Sequence, residues 1–246
     1  MVISKNIGQI KQEAKRLLRS NPRTAIILGI APTIVIVFLF YLFATLTTRW
    51  LAGAQVGNDY NQMYQQMQSL LIQNPQYQIY TLEALLAYAL VATGVRFSML
   101  TWVRAHQLDH PFADSLQVFT GTYFFRVIVL WLSIFVVTEV GFSWFYVFIF
   151  YLTYGLRMTT FILHDLMTRQ QPIKGLQTFK TLGFSWQLMR GHKLQLFLLD
   201  CSFLGWDLFN LLTYGCLSLY VIPYKSLSYA IFYQELIDQQ AQNILN

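Results

Sequence analysis

The chain has 246 residues, of which 55% are hydrophobic, 17% aromatic and only 11% charged. Ordinary soluble domains carry about 25% charged residues, so this composition excludes an average soluble enzyme or binding domain. The net charge of +6 does not indicate nucleic-acid binding, because the basic residues do not form a patch on a polar module with stacking aromatics. We expect an all-α, polytopic membrane helix bundle formed by residues 1–246 as a single integral membrane domain.

The chain begins with a basic amphipathic arm, residues 1–23. Its apolar residues recur at alternating spacings of four and three, which places them on one stripe of a helix. They are Ile3, Ile7, Ile10, Ala14 and Leu17. Lysines and arginines lie between them, so we expect a helix on the cytoplasmic leaflet with its cations among anionic headgroups. A frayed basic tail is the alternative interpretation.

Apolar segments of about 20 residues follow the arm, each long enough to cross about 30 Å of hydrocarbon as a helix. They are Thr24–Leu46, Thr81–Val103, Thr120–Glu139, Phe142–Leu163, Leu194–Thr213 and Cys216–Leu236. We therefore predict six transmembrane helices. The third and fourth segments are nearly continuous, and Glu139, Gly141 and Ser143 are the residues at which we expect a tight hairpin. One overlong helix is the alternative.

The charge distribution predicts the orientation, since short loops rich in lysine and arginine remain in the cytoplasm. Almost all cations outside the spans lie in the arm and in the loops 104–119 and 164–193, whereas segment 49–80 contains only Arg49. We therefore expect both termini and these two loops in the cytoplasm, and segment 49–80 outside. The apolar side chains of segment 49–80 recur at helical spacing, which predicts a short outer helix. A lid or a partner-binding surface is one interpretation of this helix, and a solvated connector is the other. These side chains are Tyr60, Tyr64, Met67 and Leu71.

The two inner loops repeat the amphipathic pattern of the arm. One stripe runs from Pro111 to Tyr123, and a second runs from Pro172 to His192. We interpret the chain as three units, each an inner amphipathic helix followed by a membrane hairpin. This is a pattern of architecture and not a sequence repeat.

The candidate binding residues are chosen from the charged residues inside the predicted spans, because a charge in hydrocarbon costs several kcal/mol unless it is paired, hydrated or able to snorkel. The candidates are Arg96, Arg157, Asp200, Asp207 and Lys225. At about 1.5 Å per residue, the first three lie about 10 to 12 Å from the inner boundary and Lys225 about 15 Å. Asp207 follows Asp200 by seven residues, which predicts one helical face for both. We expect charges from four spans to meet in one layer.

Two interpretations of this layer remain open. In the first, the aspartates neutralise two cations as interhelical ion pairs, and the remaining arginine snorkels to the headgroups. In the second, a water-accessible cavity with surplus positive charge binds the phosphate or carboxylate head of an amphiphile, whose tail lies in an apolar groove. Arginine suits this role because its planar fork binds phosphate in two places.

Nothing in the chain matches a metal or catalytic signature. His106 and His110 have a spacing that can hold a metal on a helix, but Pro111 follows at once and no cysteine or glutamate completes a known pattern. No GxSxG elbow, HExxH helix or phosphate-binding loop is present. We expect no cofactor, no metal and no intrinsic catalysis. Cys201 and Cys216 are expected to be packing residues without a disulfide.

Two segments of the last third carry a resemblance to a known family. Residues 185–193, SWQLMRGHK, run into residues 196–206, LFLLDCSFLGW, and residues 222–224 and 230–236 read IPY and AIFYQEL. These segments resemble the signature and closing motif of the bacterial integral membrane proteins catalogued as domain of unknown function nine-seven-five. The chain departs from that pattern at His164-Asp165-Leu166, where the family has an Asp-Asn-Pro-like turn, and near Gln234, where it has an acidic residue.

The resemblance implies a multi-pass protein of a bacterial cytoplasmic membrane, Gram-positive by the family's distribution, with no assigned biochemical role. The family is also distantly similar to the membrane regions attached to some glycerophosphodiester phosphodiesterases, which implies lipids and transfers no catalytic residue. We therefore expect a protein that binds or moves an anionic, lipid-like amphiphile. The alternative is a non-catalytic scaffold or partner subunit of a cell-envelope complex. Expected partners are membrane lipids and a membrane protein or a second copy of the chain.

Overall fold

The computed structural model describes residues 5–53, 61, 64, 65, 68, 69, 72, 74–121, 123–144, 146–169 and 177–245. Within these residues all regular structure is helical, which confirms the all-α prediction. The helices are α1 Ile7–Ser20, α2 Pro22–Gly53, α3 Pro75–Ala105, α4 Pro111–Ser115, α5 Phe124–Trp144, α6 Tyr146–Leu156, α7 Thr159–Arg169, α8 Gln177–Leu188, α9 Lys193–Cys201, α10 Leu204–Leu212 and α11 Ser218–Leu245.

Two of these helices are long and apolar enough to cross a membrane, judged by length and composition. They are Pro22–Leu51, within α2, and Pro75–Ala105, which is α3. The most apolar part of α2 is only 22% buried and that of α3 is 67% buried, so α2 presents most of its apolar surface outward. The apolar stretch Phe124–Thr138 of α5 is shorter. Among the described residues the prediction of six transmembrane helices is therefore not confirmed.

The predicted fifth span is divided into two short helices, α9 and α10. The break lies at Ser202 and Phe203, where the Phe203 amide donates to the Asp200 carbonyl at 2.9 Å in a tight turn and the Ser202 hydroxyl donates to the Leu199 carbonyl at 2.6 Å. Such side-chain bonds compete with the helical ladder. Asp200 and Asp207 consequently belong to different helices, and the prediction that one helical face carries both is wrong.

The third and fourth predicted spans also differ from expectation. Helix α5 continues through Glu139, Gly141 and Ser143 to Trp144, so the hairpin predicted at those residues is wrong. No residue there forces an end to an otherwise apolar helix. The fourth predicted span is divided instead into α6 and α7, with Arg157 between them.

The predicted amphipathic loop segments are only partly present. The stripe from Pro111 to Tyr123 is the short helix α4 followed by a 3-10 turn at Gln117–Phe119, and both Phe112 and Phe119 are exposed. The second stripe forms α8, while residues 170–176 lie outside the described residues. Most of the predicted outer helix, including Tyr60, Met67 and Leu71, also lies outside them.

The hydrophobic core lies around α11. Its residues from Tyr224 to Leu236 pack against α1, the second half of α3, α7 and α9. The helical arm is confirmed, but Ile10 and Ala14 of its predicted stripe are buried in this core together with Leu18, and Ile7 and Leu17 pack against it. Because α11 offers a complementary apolar face, the arm packs on the protein and does not present this stripe to the lipid leaflet.

Helices α1 and α2 follow α11 one after the other, antiparallel to it. At one end Lys5 binds Glu235 at 3.3 Å, and further along the ammonium group of Lys15 lies 5.9 Å from the Tyr224 ring centroid. Beyond the bend at Asn21, α2 approaches so closely that a Cβ atom on Gly29 would lie 2.4 Å from the Leu219 carbonyl oxygen. This arrangement brings the cations of the arm beside α10 and α11.

Candidate functional site

The Asp200 carboxylate is the centre of one polar cluster. It accepts a hydrogen bond from the Tyr154 hydroxyl at 3.0 Å and a second, short one from the Tyr229 hydroxyl. The Arg157 guanidinium lies 3.9 Å from the same carboxylate. The Asp200 carboxylate therefore links α6, α9, α11 and the turn before α7, and the two hydroxyls and the guanidinium stabilise its negative charge.

Two arginines face this single aspartate. Arg157 donates to the Tyr229 hydroxyl at 3.3 Å, and its Nε atom is buried without a hydrogen-bond partner among the described residues. Arg96 on α3 lies within electrostatic range of Arg157 and Asp200 but forms no ion pair with any described carboxylate. The cluster therefore has one positive charge in excess.

Asp207 and Lys225 form a separate ion pair. The Lys225 ammonium lies 2.8 Å from the Asp207 carboxylate, whose side chain is 42% exposed. Lys225 and Tyr229 are one helical turn apart on α11, so the pair is adjacent to the Asp200 cluster without being part of it. The structure thus brings Arg96, Arg157 and Asp200 together and pairs the other two predicted residues beside them.

Two lysines of the arm lie near this ion pair. The Lys11 ammonium donates to the Ser202 carbonyl at 2.8 Å and lies 4.5 Å from the centroid of the Phe203 ring. Lys225 lies 5.8 Å from the same ring centroid, and Lys15 is over the neighbouring Tyr224 ring. We call the group of Lys11, Lys15 and Lys225 the lysine cluster.

The electrostatics of Lys11 agree with this crowding. Burial, and after it the positive charge of Lys15, lowers the pKa of Lys11 from its usual value. Glu13 on the same helix does not compensate the lysine cluster, because it is bound by Lys5 at 3.0 Å. In the part of the chain that the structure describes, Asp207 is therefore the acidic group that forms an ion pair with a lysine of this cluster, and its partner is Lys225.

An apolar groove of about 370 Å³ lies between the start of α2 and the start of α11. We call it the α2/α11 groove. Its lining is Leu18, Pro22, Ala25, Ile26, Cys216, Leu217, Leu219 and Tyr220. Leu18 is one helical turn from Lys15, and the Tyr220 ring is 5.8 Å from that of Tyr224, centroid to centroid. The apolar groove therefore ends beside the lysine cluster.

Sequence reasoning missed most partners of the predicted charges. Tyr154 and Tyr229, which bind Asp200, are apolar in most of their surface and do not stand out in a hydrophobic segment. Lys11 and Lys15 were assigned to the lipid surface with the rest of the arm. One signal was present: Lys11 and Lys15 are four residues apart, and so are Lys225 and Tyr229, which is the spacing of one helix face.

A third polar cluster joins the second halves of α3, α7 and α11. Arg104 binds Asp165 through two bonds, of 2.5 and 2.9 Å, and the Tyr233 hydroxyl donates to the same carboxylate at 2.9 Å. Arg104 also donates to Gln234 at 2.8 Å. The chain departs from the family pattern near Asp165 and near Gln234. Both residues bind Arg104, so the two departures lie at one site.

Lys193 at the start of α9 is a buried cation held by aromatic rings. Its ammonium lies 3.1 Å from the Tyr151 ring centroid and 3.5 Å from that of Trp186, with no hydrogen-bond acceptor among the described residues. A Cβ atom on Gly155 would lie 2.5 Å from the Trp186 ring, so glycine is needed for this stacking. Cation–π attraction of a desolvated ammonium is worth about 2 kcal/mol.

The possible metal ligands do not converge. Helix α3 ends at Ala105, and His106 has a left-handed conformation with φ of 57°, so His106 and His110 do not share a helical turn. Over the described residues no group of three or more histidine, cysteine, aspartate or glutamate side chains could hold a metal ion. Cys201 and Cys216 are free thiols.

Comparison with known proteins gives one result. Residues 144–240 match the family described as "Protein of unknown function (DUF975)". No curated protein and no solved structure matches the chain. The match does not bear on the distant similarity to glycerophosphodiester phosphodiesterase membrane regions, which stays a prediction. The resemblance of the last third is confirmed, because residues 144–240 match the model of this domain-of-unknown-function family.

Proposed function

We propose that this chain is a multi-pass integral membrane protein that binds or moves an anionic amphiphile at the lysine cluster and the α2/α11 groove. The observation that carries the proposal is the position of three lysines around the Phe203 and Tyr224 rings, one of them paired with Asp207, at the end of an apolar groove. An amphiphile has the same arrangement, with a charged head next to an apolar tail. The predicted residues Lys225 and Asp207 belong to this site, and Lys11 and Lys15 are added to it.

The surroundings of the groove favour a lipid as its occupant. The groove is lined by the start of α2, which is long and apolar enough to cross a membrane and leaves most of its apolar surface unburied. Large apolar side chains that remain exposed also line or flank the groove, among them Ile26 and Tyr220. A lipid tail could enter such a groove sideways from the hydrocarbon, while its anionic head stays beside Lys11, Lys15 and Lys225.

The alternative function, a scaffold or partner subunit, is favoured by the Asp200 cluster. Its carboxylate is bound by Tyr154, Tyr229 and Arg157, so the cluster ties together several helices as a structural ion pair does. A binding site there would need an open cavity beside the charges. The two functions are compatible in one protein, but only the first requires the groove.

Blocking the groove tests the proposal. Cys216 lines the groove and is exposed, so Cys216→Trp fills it with little disturbance of the core. Leu208→Trp on α10 is the matched control, because Leu208 is exposed and does not line the groove. Native mass spectrometry of the purified full chain, titrated with phosphatidylglycerol and phosphatidic acid, measures the bound lipid.

We expect the wild-type protein and Leu208→Trp to bind anionic lipid and Cys216→Trp to lose at least tenfold in affinity. Equal binding by all three proteins would show that the groove does not hold the lipid and would leave the scaffold as the remaining function. Circular dichroism and thermal unfolding of both variants check that the fold is retained.

A further inference from the structure

We propose that the lysine cluster selects a phosphate monoester headgroup, which carries two negative charges, over a phosphodiester headgroup, which carries one. The inference rests on the proposed function, because it names the class of amphiphile that the same site binds. Its occupant is a membrane lipid whose tail lies in the α2/α11 groove, such as phosphatidic acid or another lipid ending in a free phosphate.

The first argument is the balance of charge. Three ammonium groups, those of Lys11, Lys15 and Lys225, lie around the ring pair of Phe203 and Tyr224, whose centroids are 5.0 Å apart. Asp207 neutralises one of them at 2.8 Å. Two positive charges remain, which a dianion balances and a monoanion does not.

The second argument is a buried hydroxyl without a partner. Tyr224 is fully buried, and its hydroxyl has no hydrogen-bond partner among the described residues. A buried donor without a partner is destabilising, so a ligand that accepts its hydrogen bond recovers part of that loss. A phosphate monoester has three terminal oxygens available as acceptors, whereas a phosphodiester has two.

The third argument is the kind of cation. Lysine ammonium groups act as compact point charges with freely rotating donors, so they respond to the total charge of a ligand more than to its planar shape. The planar arginine fork, by contrast, binds a carboxylate or a phosphate in two places and selects a ligand by its shape. Arg96 and Arg157, which have that fork, belong to the neighbouring Asp200 cluster and not to the groove.

The charge of the headgroup gives the experiment its main readout. A phosphate monoester loses its second proton near pH 6 and has about −1.5 to −2 charge at pH 7, whereas a phosphodiester stays at −1 over the same range. The groups that face the headgroup are Lys11 and Lys15 from α1, Asp207 from α10, and Tyr224 and Lys225 from α11.

The experiment is a titration of the purified full chain in nanodiscs of uncharged lipid, with phosphatidic acid or phosphatidylglycerol as probe. At pH 7.5 we expect phosphatidic acid to bind at least tenfold more tightly. At pH 5 the preference should fall below about threefold, because the monoester then carries close to one charge. An equal affinity for both lipids at pH 7.5, or a preference that does not change with pH, would overturn the inference.

Variants locate the effect. Lys15→Gln should reduce the preference for phosphatidic acid at pH 7.5 to below threefold, and Lys180→Gln, an exposed cation on α8, is the matched control that should leave it unchanged. Asp207→Asn removes the opposing charge and should tighten binding of both lipids. A reduced affinity in Asp207→Asn would contradict the charge balance on which the inference depends.

Two further outcomes separate this inference from the function on which it rests. If neither lipid binds above the level of Cys216→Trp, the proposed function fails and the inference fails with it. If both lipids bind equally and Cys216→Trp abolishes the binding of both, the groove is a lipid site without selectivity, and only the inference fails.

Competition with inorganic phosphate tests the lipid as occupant. Inorganic phosphate added at the lipid's concentration should not displace phosphatidic acid. Displacement would show a site for soluble phosphate and would overturn the lipid as occupant.

Discussion

Individual charges in this protein are stabilised by different means according to their surroundings. Asp200 is held by two tyrosine hydroxyls and an arginine, while Lys193 is held by two aromatic rings and no acceptor that the structure describes. Asp207, by contrast, has one lysine partner and remains 42% exposed. The enclosed Asp200 carboxylate therefore ties helices together, whereas the Asp207 carboxylate is open to its surroundings.

This difference predicts unequal effects of two matched substitutions. Asp200→Asn leaves Arg157 without a counterion, which should lower the free energy of unfolding by on the order of 3 kcal/mol, because breaking an enclosed ion pair strands the other charge. Asp207→Asn should cost less than about 1 kcal/mol, as exposed pairs do. Thermal or denaturant unfolding in detergent measures both. Equal losses in the two variants would contradict the assignment of Asp200 as the structural carboxylate.

At the scale of the helix, the arm shows how packing changes the meaning of an amphipathic pattern. The stripe of Ile10, Ala14 and Leu18 is suited to a lipid leaflet and equally suited to the apolar face of α11. In the structure it packs on the protein, which places Lys11 and Lys15 beside Phe203 and Tyr224. The arm therefore supplies two of the three cations of the lysine cluster.

A substitution at Ala14 distinguishes the two locations of the arm. Ala14 is fully buried, so Ala14→Leu overpacks the contact with α11 and should destabilise the protein by about 1 to 3 kcal/mol. Gln12→Leu is the control, since Gln12 is exposed on the same helix. An arm on the lipid leaflet would accept both leucines without loss of stability. Unfolding of the two variants in detergent, with hydrogen exchange of residues 7–20, gives the measurement.

Among the described residues, apolar surface remains exposed along α2, the first half of α3, α5 and α10, whereas residues 90–100 of α3 and 221–236 of α11 are mostly buried. Exposed apolar area of this extent is typical of membrane contact. Examples of these exposed side chains are Ile34, Phe43, Leu82, Phe125, Leu132, Leu208 and Leu212. This apolar outer surface agrees with the two helices that, among the described residues, are long and apolar enough to cross a membrane.

Labelling of single cysteines decides between two and six crossings. The starting variant carries Cys201→Ser and Cys216→Ser, so that it has no native thiol. One cysteine at a time is then introduced between predicted spans or near the end of the chain: Asn58→Cys, Gln107→Cys, Tyr214→Cys or Gln242→Cys. With six spans and both termini cytoplasmic, a membrane-impermeant maleimide on intact cells should label the cysteines at positions 58 and 214. Those at 107 and 242 should react only after permeabilisation. Labelling at position 58 alone would indicate two crossings.

The helical class and the first two long apolar helices were predictable from the sequence, because hydrophobic length and helical spacing are local properties. Thr24–Leu46 and Thr81–Val103 lie inside α2 and α3, and the apolar stripe of the arm lies on α1. The family resemblance of the last third was also readable from short motifs, and the match to residues 144–240 confirms it. The candidate charged residues could also be found in the sequence, because each one interrupts an apolar segment.

The partners of those charges were decided only by the tertiary structure. The break at Ser202 and Phe203 depends on local side-chain bonds that a hydropathy pattern does not contain, and it sends Asp200 to the tyrosines and Asp207 to Lys225. Lys11 reaches Ser202 across 191 positions of the chain. Such contacts follow from how helices pack against one another, so the sequence determined which side chains are costly in an apolar setting, and packing determined which of them meet.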